Sequence, residues 1–268
     1  MTKYIKVFQQ HSEYTEFKDS ANFIRPNVSC CMDDGDVHFT PYRPTGGAYD
    51  SQYLTLEVLS SGTITIQASN ASIAKTISYS TDSGDTWTSL TTSTTAQSFG
   101  TFNEGDKIML KGENTFYGTE DYFNAIGGTA EFNVYGNIMS LIYGDDFVGE
   151  TEFEDYANFV GFFMQTNVVS AENLVLPATT LTMGCYATMF NGCTSLVAAP
   201  ELPATTLANY CYSGMFNGCT SLVAEPVVAD IFTPSNQVPA INCQNMFYDT
   251  NFRYSQSTSV FDESAYGD

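Results

Sequence analysis

Residues 176–201 read LPATTLTMGCYATMFNGCTSLVAAPE, and residues 202–227 read LPATTLANYCYSGMFNGCTSLVAEPV. The two segments agree at 19 of 26 positions without a gap, which chance does not produce. Upstream, FVGFFMQTNVVSAENLVLPA is a worn copy that places Phe163 at the register of Phe190 and Phe216. Downstream, INCQNMFYDTNF sets Met246-Phe247 at the register of Met189-Phe190 and Met215-Phe216. That makes about four coils between about 150 and 255, with the worn outer copies as caps. One such unit cannot bury its apolar face alone, whereas stacked neighbours can.

The period of 26 falls within the range of leucine-rich repeats. Within each unit, Ser-Leu-Val-Ala suits a short buried strand. The stretch from Ala208 to Gly218 places Tyr210, Cys211, Met215 and Phe216 at near-helical spacing, which predicts a short helix or 3₁₀ turn. Pro200, Pro203 and Pro226 punctuate the connections. The region before the repeats has a different period. QYLTLEVLS, GTITIQAS, KTISYST, TWTSLTT, KIMLKG and AEFNVYG alternate apolar and polar residues between turn residues, the signature of an immunoglobulin-like antiparallel sandwich. Between two of these strands lies STDSGDTW, Ser80 to Trp87, which fits the Asp-box hairpin pattern. There Asp82 can cap the turn, Gly84 can take positive φ, and Trp87 can pack back on the sheet. The first 45 residues read as a separate α+β module, in which NVSCCM and VHF flank Asp33-Asp34-Gly35-Asp36. The expected organisation is β-rich and multidomain. It comprises an N-terminal module over 1–45, a sandwich over 48–136, a short leucine-rich-repeat solenoid over 137–255, and a tail over 256–268.

The formal net charge is −21, and Lys111 and Arg253 are consecutive basic residues with fifteen carboxylates between them. Such a surface repels phosphate backbones, which argues against nucleic-acid binding. Solubility at high local concentration explains the charge most simply, and a cation-bridged surface is the sharper alternative. No run approaches the length of a membrane span, so no membrane insertion is expected. The N-terminal MTKYIKVFQQHSEYTEFKDS has no apolar h-region, and no secretory signal is expected there. Seven cysteines, two of them adjacent at Cys30-Cys31, cannot form a complete disulfide framework, so the expectation is free, mostly buried thiols and a reducing compartment.

Enzyme readings fail on inventory. An Asp box suggests sialidases, but it occurs once. Those enzymes also grip a carboxylate with three arginines, and Arg25, Arg43 and Arg253 all fall outside the sandwich. The two histidines, His11 and His38, are remote from any nucleophile motif. Carboxylate pairs are too many to single one out. The acidic turn at 33–36 lacks EF-hand spacing. The repeated Cys185/Cys211 and Cys193/Cys219 registers lack a Cys-x-x-Cys or His partner, so a core ladder is favoured over a metal site. Asn191-Gly192 and Asn217-Gly218 read as turns whose Asn side chains bond local backbone. No cofactor, catalytic residue or metal ligand is expected. Tyr186 and Tyr212 repeat at one register. Core packing is the favoured role for them, and an exposed stacking ladder for a sugar or protein makes them the candidate binding residues.

The repeats resemble the BspA-like leucine-rich repeats of Bacteroidetes surface proteins, through Met-Phe-x-Gly-Cys-Thr-Ser-Leu and the following Leu-Pro. PNVSCCMDDGDVHFTPY and GNIMSLIYGDDF are similar to segments of proteins encoded by phages of gut Bacteroidales. These resemblances imply an accessory virion protein, a head fibre or capsid decoration, or else a bacterial cell-surface adhesin; a glycan-active enzyme is a distant third. The missing h-region favours a virion protein assembled in the host cytoplasm over an exported adhesin. Residues 1–45 are then the attachment end, with Tyr14, Phe17 and Arg25 as candidate contacts to a capsid or other virion protein. A dimer or trimer is expected from the symmetry of such mounts, and a host-surface glycan or protein is the expected ligand of the repeat face.

Overall fold

A computed structural model of the chain describes residues 28–33, 36–41, 48–252, 254–255 and 257–267, with the backbone alone over the first two segments. Tyr14, Phe17 and Arg25 lie outside the described residues. The chain divides into two compact units, Met1–Gly47 and Ala48–Asp268. In the first, β1 (Val28–Asp33) pairs antiparallel with β2 (Asp36–Pro41), with Asp33 opposite Asp36.

The second unit is β-rich. One sheet has six strands in the order β11-β10-β3-β8-β5-β6: Val168–Val175, Phe132–Asn137, Leu54–Val58, Lys107–Gly112, Thr76–Ser80 and Thr88–Thr91. The other has three, β7-β4-β9: Gln97–Phe102, Gly62–Ala68 and Asn124–Gly128. Alternation decides which way each strand faces, because successive side chains point to opposite sides of a pleated sheet. Leu54, Leu56 and Val58 of β3, Ile108 and Leu110 of β8, and Phe132 and Val134 of β10 are buried. So are Ile64 and Ile66 of β4 and Ile126 of β9, and the inward residues of both sheets belong to one apolar cluster.

That cluster does not stop at residue 136. β11, which lies in the worn first copy of the repeat, pairs in parallel with β10, with Tyr135 opposite Asn173 and Gly136 opposite Leu174. Its other edge meets the next copy, where Val197 N–H donates to Val169 C=O at 2.9 Å and Ala171 N–H to Ala198 C=O at 2.9 Å. The first coil thus adds to the sheet, and later coils add to the first.

The coils themselves are not helical over Ala208–Gly218, contrary to the spacing argument. Each is a chain of tight turns with a residue of positive φ at every fourth position: Gly184, Thr188 and Gly192 in one copy, Tyr210, Gly214 and Gly218 in the next. The worn copies keep the rhythm at Ala157, Gly161 and Gln165, and at Asn245 and Asp249. A left-handed residue in every turn breaks the i→i−4 ladder on which a helix depends. Backbone donors are shared out alternately instead. The N–H groups of Cys185, Ala187, Met189 and Asn191 donate back to the C=O three residues earlier. Those of Gly184, Tyr186, Thr188, Phe190 and Gly192 donate to Asn209, Cys211, Ser213, Met215 and Asn217 of the next coil at 2.7–3.0 Å.

Ser-Leu-Val-Ala forms no strand in the inner coils. It makes a single bridge, Ser170↔Ala198, because only the first copy has a sheet edge to extend. Gly192 and Gly218 take positive φ, but the Asn191 and Asn217 side chains make no hydrogen bond among the described residues.

Candidate functional site

The four-residue rhythm turns two adjacent side chains inward at each turn, and stacking aligns them into ladders. Phe163, Phe190, Phe216 and Phe247 stack in parallel at 5.3, 5.6 and 5.9 Å between ring centroids. Tyr117, Phe159, Tyr186 and Tyr212 stack at 5.8, 6.3 and 6.2 Å, so this second ladder starts from a residue of the sheet region. Tyr186 and Tyr212 are 1% and 2% exposed, and the exposed ladder considered from the sequence does not form. Their rings sit where each turn faces the stack's interior.

Tyr186 carries a hydroxyl that is buried without a partner among the described residues, a costly arrangement in an apolar interior. Tyr186→Phe is therefore expected to stabilise the protein by about 1 kcal/mol, as Phe159 already occupies that register one coil earlier. Tyr117→Phe in the same ladder should have the opposite sign, since the Tyr117 hydroxyl donates to Leu141 C=O and accepts from Asn114 Nδ2, both at 2.9 Å. Paired thermal melts of the two variants read both signs, and the same sign for both would contradict the assignment.

Cys185, Cys193, Cys211, Cys219 and Cys243 are free and buried. Cys193 Sγ donates to Phe163 C=O at 2.9 Å and Cys219 Sγ to Phe190 C=O at 3.1 Å. In the outer coils Thr166 and Thr250 stand at this register and donate to Phe163 and Phe247 C=O at 2.9 and 2.7 Å. Asn158 and Asn242 likewise flank Cys185 and Cys211, and their amides donate to Thr115 and Ala208 C=O. Polar side chains at the ends thus satisfy backbone that a neighbouring coil would otherwise cover. Burial pushes the Cys211 and Cys243 thiols from 9.0 up to about 12. A folded-state value above the unfolded one gives stability that is complete below pH 9 and lost as pH rises toward 12. The melting temperature should fall by several degrees between about pH 8 and about pH 10.5. A flat profile there would contradict the burial of these groups.

The polar chemistry lies on the outward face of the six-stranded sheet. At one end the Asp box closes the β5–β6 hairpin. Asp82 Oδ1 accepts from Thr86 N–H at 2.9 Å, Ser80 Oγ accepts from Gly84 N–H at 2.9 Å, and Gly84 has φ +92°. Hydrogen bonds from Ser80 and Thr86 hold the Asp82 carboxyl down at about 2. Trp87 packs edge-on against Tyr53 at 5.0 Å, and Lys111 Nζ sits 4.2 Å over the Trp87 ring while pairing with Asp145 at 2.7 Å. Tyr53 donates to the same carboxylate at 2.8 Å, and burial, then Asp145, raises its phenol to about 12. These contacts occupy the tryptophan and make this end a structural clamp.

At the other end a groove of ≈310 Å³ is lined by Tyr49, Gln52, Glu57, Lys107, Asn133, Val134, Tyr135, Ser170 and Asn173. Tyr49 and Tyr135 approach to 5.3 Å at 59°. Lys107 pairs with Glu57 at 3.3 Å and lies 5.6 Å from the Tyr135 ring centroid. The Tyr135 hydroxyl and then the Glu57 carboxylate raise the Lys107 ammonium above its ordinary value. These residues come from β3, β8, β10 and β11 and the lead-in at 49–52, and no motif announced them. Among the described residues, no three His, Cys, Asp or Glu side chains converge to hold a metal ion. No helix among them is long and apolar enough to cross a membrane. No family model, curated protein or solved structure matches the chain.

Proposed function

We propose that the protein is a non-enzymatic surface protein of a phage particle, a head fibre or capsid decoration, mounted through residues 1–45 on a capsid or other virion protein. In this reading the two sheets are an immunoglobulin-like sandwich, and the stacked coils are a short solenoid of BspA-like leucine-rich repeats. The protein assembles in the host cytoplasm as a dimer or trimer and displays residues 48–268 toward the host surface. The observation that carries the reading is the buried, free thiols of Cys185, Cys193, Cys211, Cys219 and Cys243. Thiols packed as apolar side chains suit folding in a reducing compartment. An exported adhesin, which the repeat resemblance also supports, folds where thiols oxidise.

Deleting residues 1–45 is expected to abolish incorporation into particles while leaving the remainder folded, because Ala48–Asp268 is compact by itself. Mass spectrometry of purified particles and the retained far-UV signal of the shortened protein check both halves of this statement. Peptides found only in bacterial outer-membrane fractions, or decoration by the shortened protein, would overturn the reading.

A further inference from the structure

We propose that the groove at the β10–β11 joint is a binding site for a neutral glycan, an assignment whose biological setting rests on the display reading above. The side-chain amides of Asn133 and Asn173 line the groove with no hydrogen-bond partner among the described residues. Gln52 commits one amide hydrogen to Ala48 C=O at 3.0 Å, and Ser170 Oγ accepts only a 3.3 Å bond from Glu172 N–H. Amides that both donate and accept match vicinal hydroxyls. The half-buried rings of Tyr49 and Tyr135 offer apolar surface to the C–H faces of a sugar ring. Charge narrows the class further. The groove's lysine and glutamate neutralise one another, and the chain around them is strongly anionic, which disfavours an acidic polymer.

The register of the joint also serves the groove. Between Asn133 and Tyr135 of β10, the partner residue on β11 jumps from Ser170 to Asn173. A bulge of this kind re-aims side chains, and here it lies beside the Asn173 amide. The site therefore needs the repeats docked on the sheet. Its size, ≈310 Å³, is at the small end for ligand sites, so each copy binds weakly and gains from multiplicity on a particle.

Affinity electrophoresis of the intact protein tests this, with gels containing mannan, glycogen or galactan and, for comparison, polygalacturonate or chondroitin sulfate. At least one neutral polysaccharide should retard the protein, and the anionic ones should not. Asn133→Ala/Asn173→Ala should weaken retardation about tenfold with native Trp87 emission. Asn173→Ala alone, at an exposed position, should give a smaller loss and serves if the double variant fails to fold. No retardation by any neutral polysaccharide, stronger retention by the anionic ones, or undiminished binding in the folded variant would overturn the proposal. Protein present in particles but blind to glycans sinks this assignment and spares the display reading; glycan binding by a protein absent from particles does the reverse.

Discussion

Phe190→Ala is expected to destabilise the folded protein by about 4 kcal/mol, the loss of a fully buried ring from the middle of a stacked column. Phe190 lies between Phe163 at 5.3 Å and Phe216 at 5.6 Å, so truncation ends two ring contacts and leaves a cavity walled by the neighbouring rings. The backbone cannot collapse into that space, because Phe190 N–H is tied to Met215 C=O at 2.9 Å and its C=O accepts from Cys219 Sγ. The melting temperature should drop by roughly 10 °C. Val223→Ala in the adjoining coil, where the side chain is 70% exposed, should change stability by no more than about 0.5 kcal/mol. Comparable losses for both would mean that the ladder does not hold the stack together.

Gly136→Ala should cost about 3 kcal/mol or more, for a different reason. Gly136 has φ +87°, and a Cβ there would lie 2.2 Å from Tyr53 C=O, inside the sheet where β10 carries β3 on one side and β11 on the other. Backbone must move, and the strand that moves is the one joining the repeats to the sheet. Gly149→Ala separates the two contributions. Its φ is +91°, but nothing lies within 4 Å of the added carbon, so it should cost only the about 1–2 kcal/mol of a left-handed residue. Equal losses at the two positions would show that the close approach at Gly136 is relieved at no cost.

Alternation in LTLEV, KIMLKG and FNVYGN was enough to read which residues face inward, because period-two patterning admits one pleated solution. Copy identity at residues 176–227 was enough to read the stack. The turn rhythm is not legible from those residues, because Cys-Tyr and Met-Phe pairs four residues apart suit a helix and a four-residue turn equally. The signal that separates them is glycine in the same rhythm, four residues apart at Gly214 and Gly218 and twice that at Gly184 and Gly192. Strand β11 is hidden inside the worn copy, since its partners lie 36–38 residues upstream. Tyr186 and Tyr212 show that a repeated aromatic register leaves inside and outside undecided. Asn133, Tyr135, Lys107 and Asn173 could not be found by spacing, because only the sheet's pairing brings them together.

Sheet and repeats form one cooperative body, and the chain carries a probe for each half. Trp87, the sole tryptophan, reports on the sheet. Of seven cysteines, replacing Cys30 and Cys31 with serine leaves five, all in the repeats. Equilibrium urea unfolding of that variant, followed in parallel by Trp87 emission and by thiol labelling, should give one transition with the same midpoint and slope for both probes. Thiols that become reactive at lower urea while Trp87 keeps its native emission would contradict the claim.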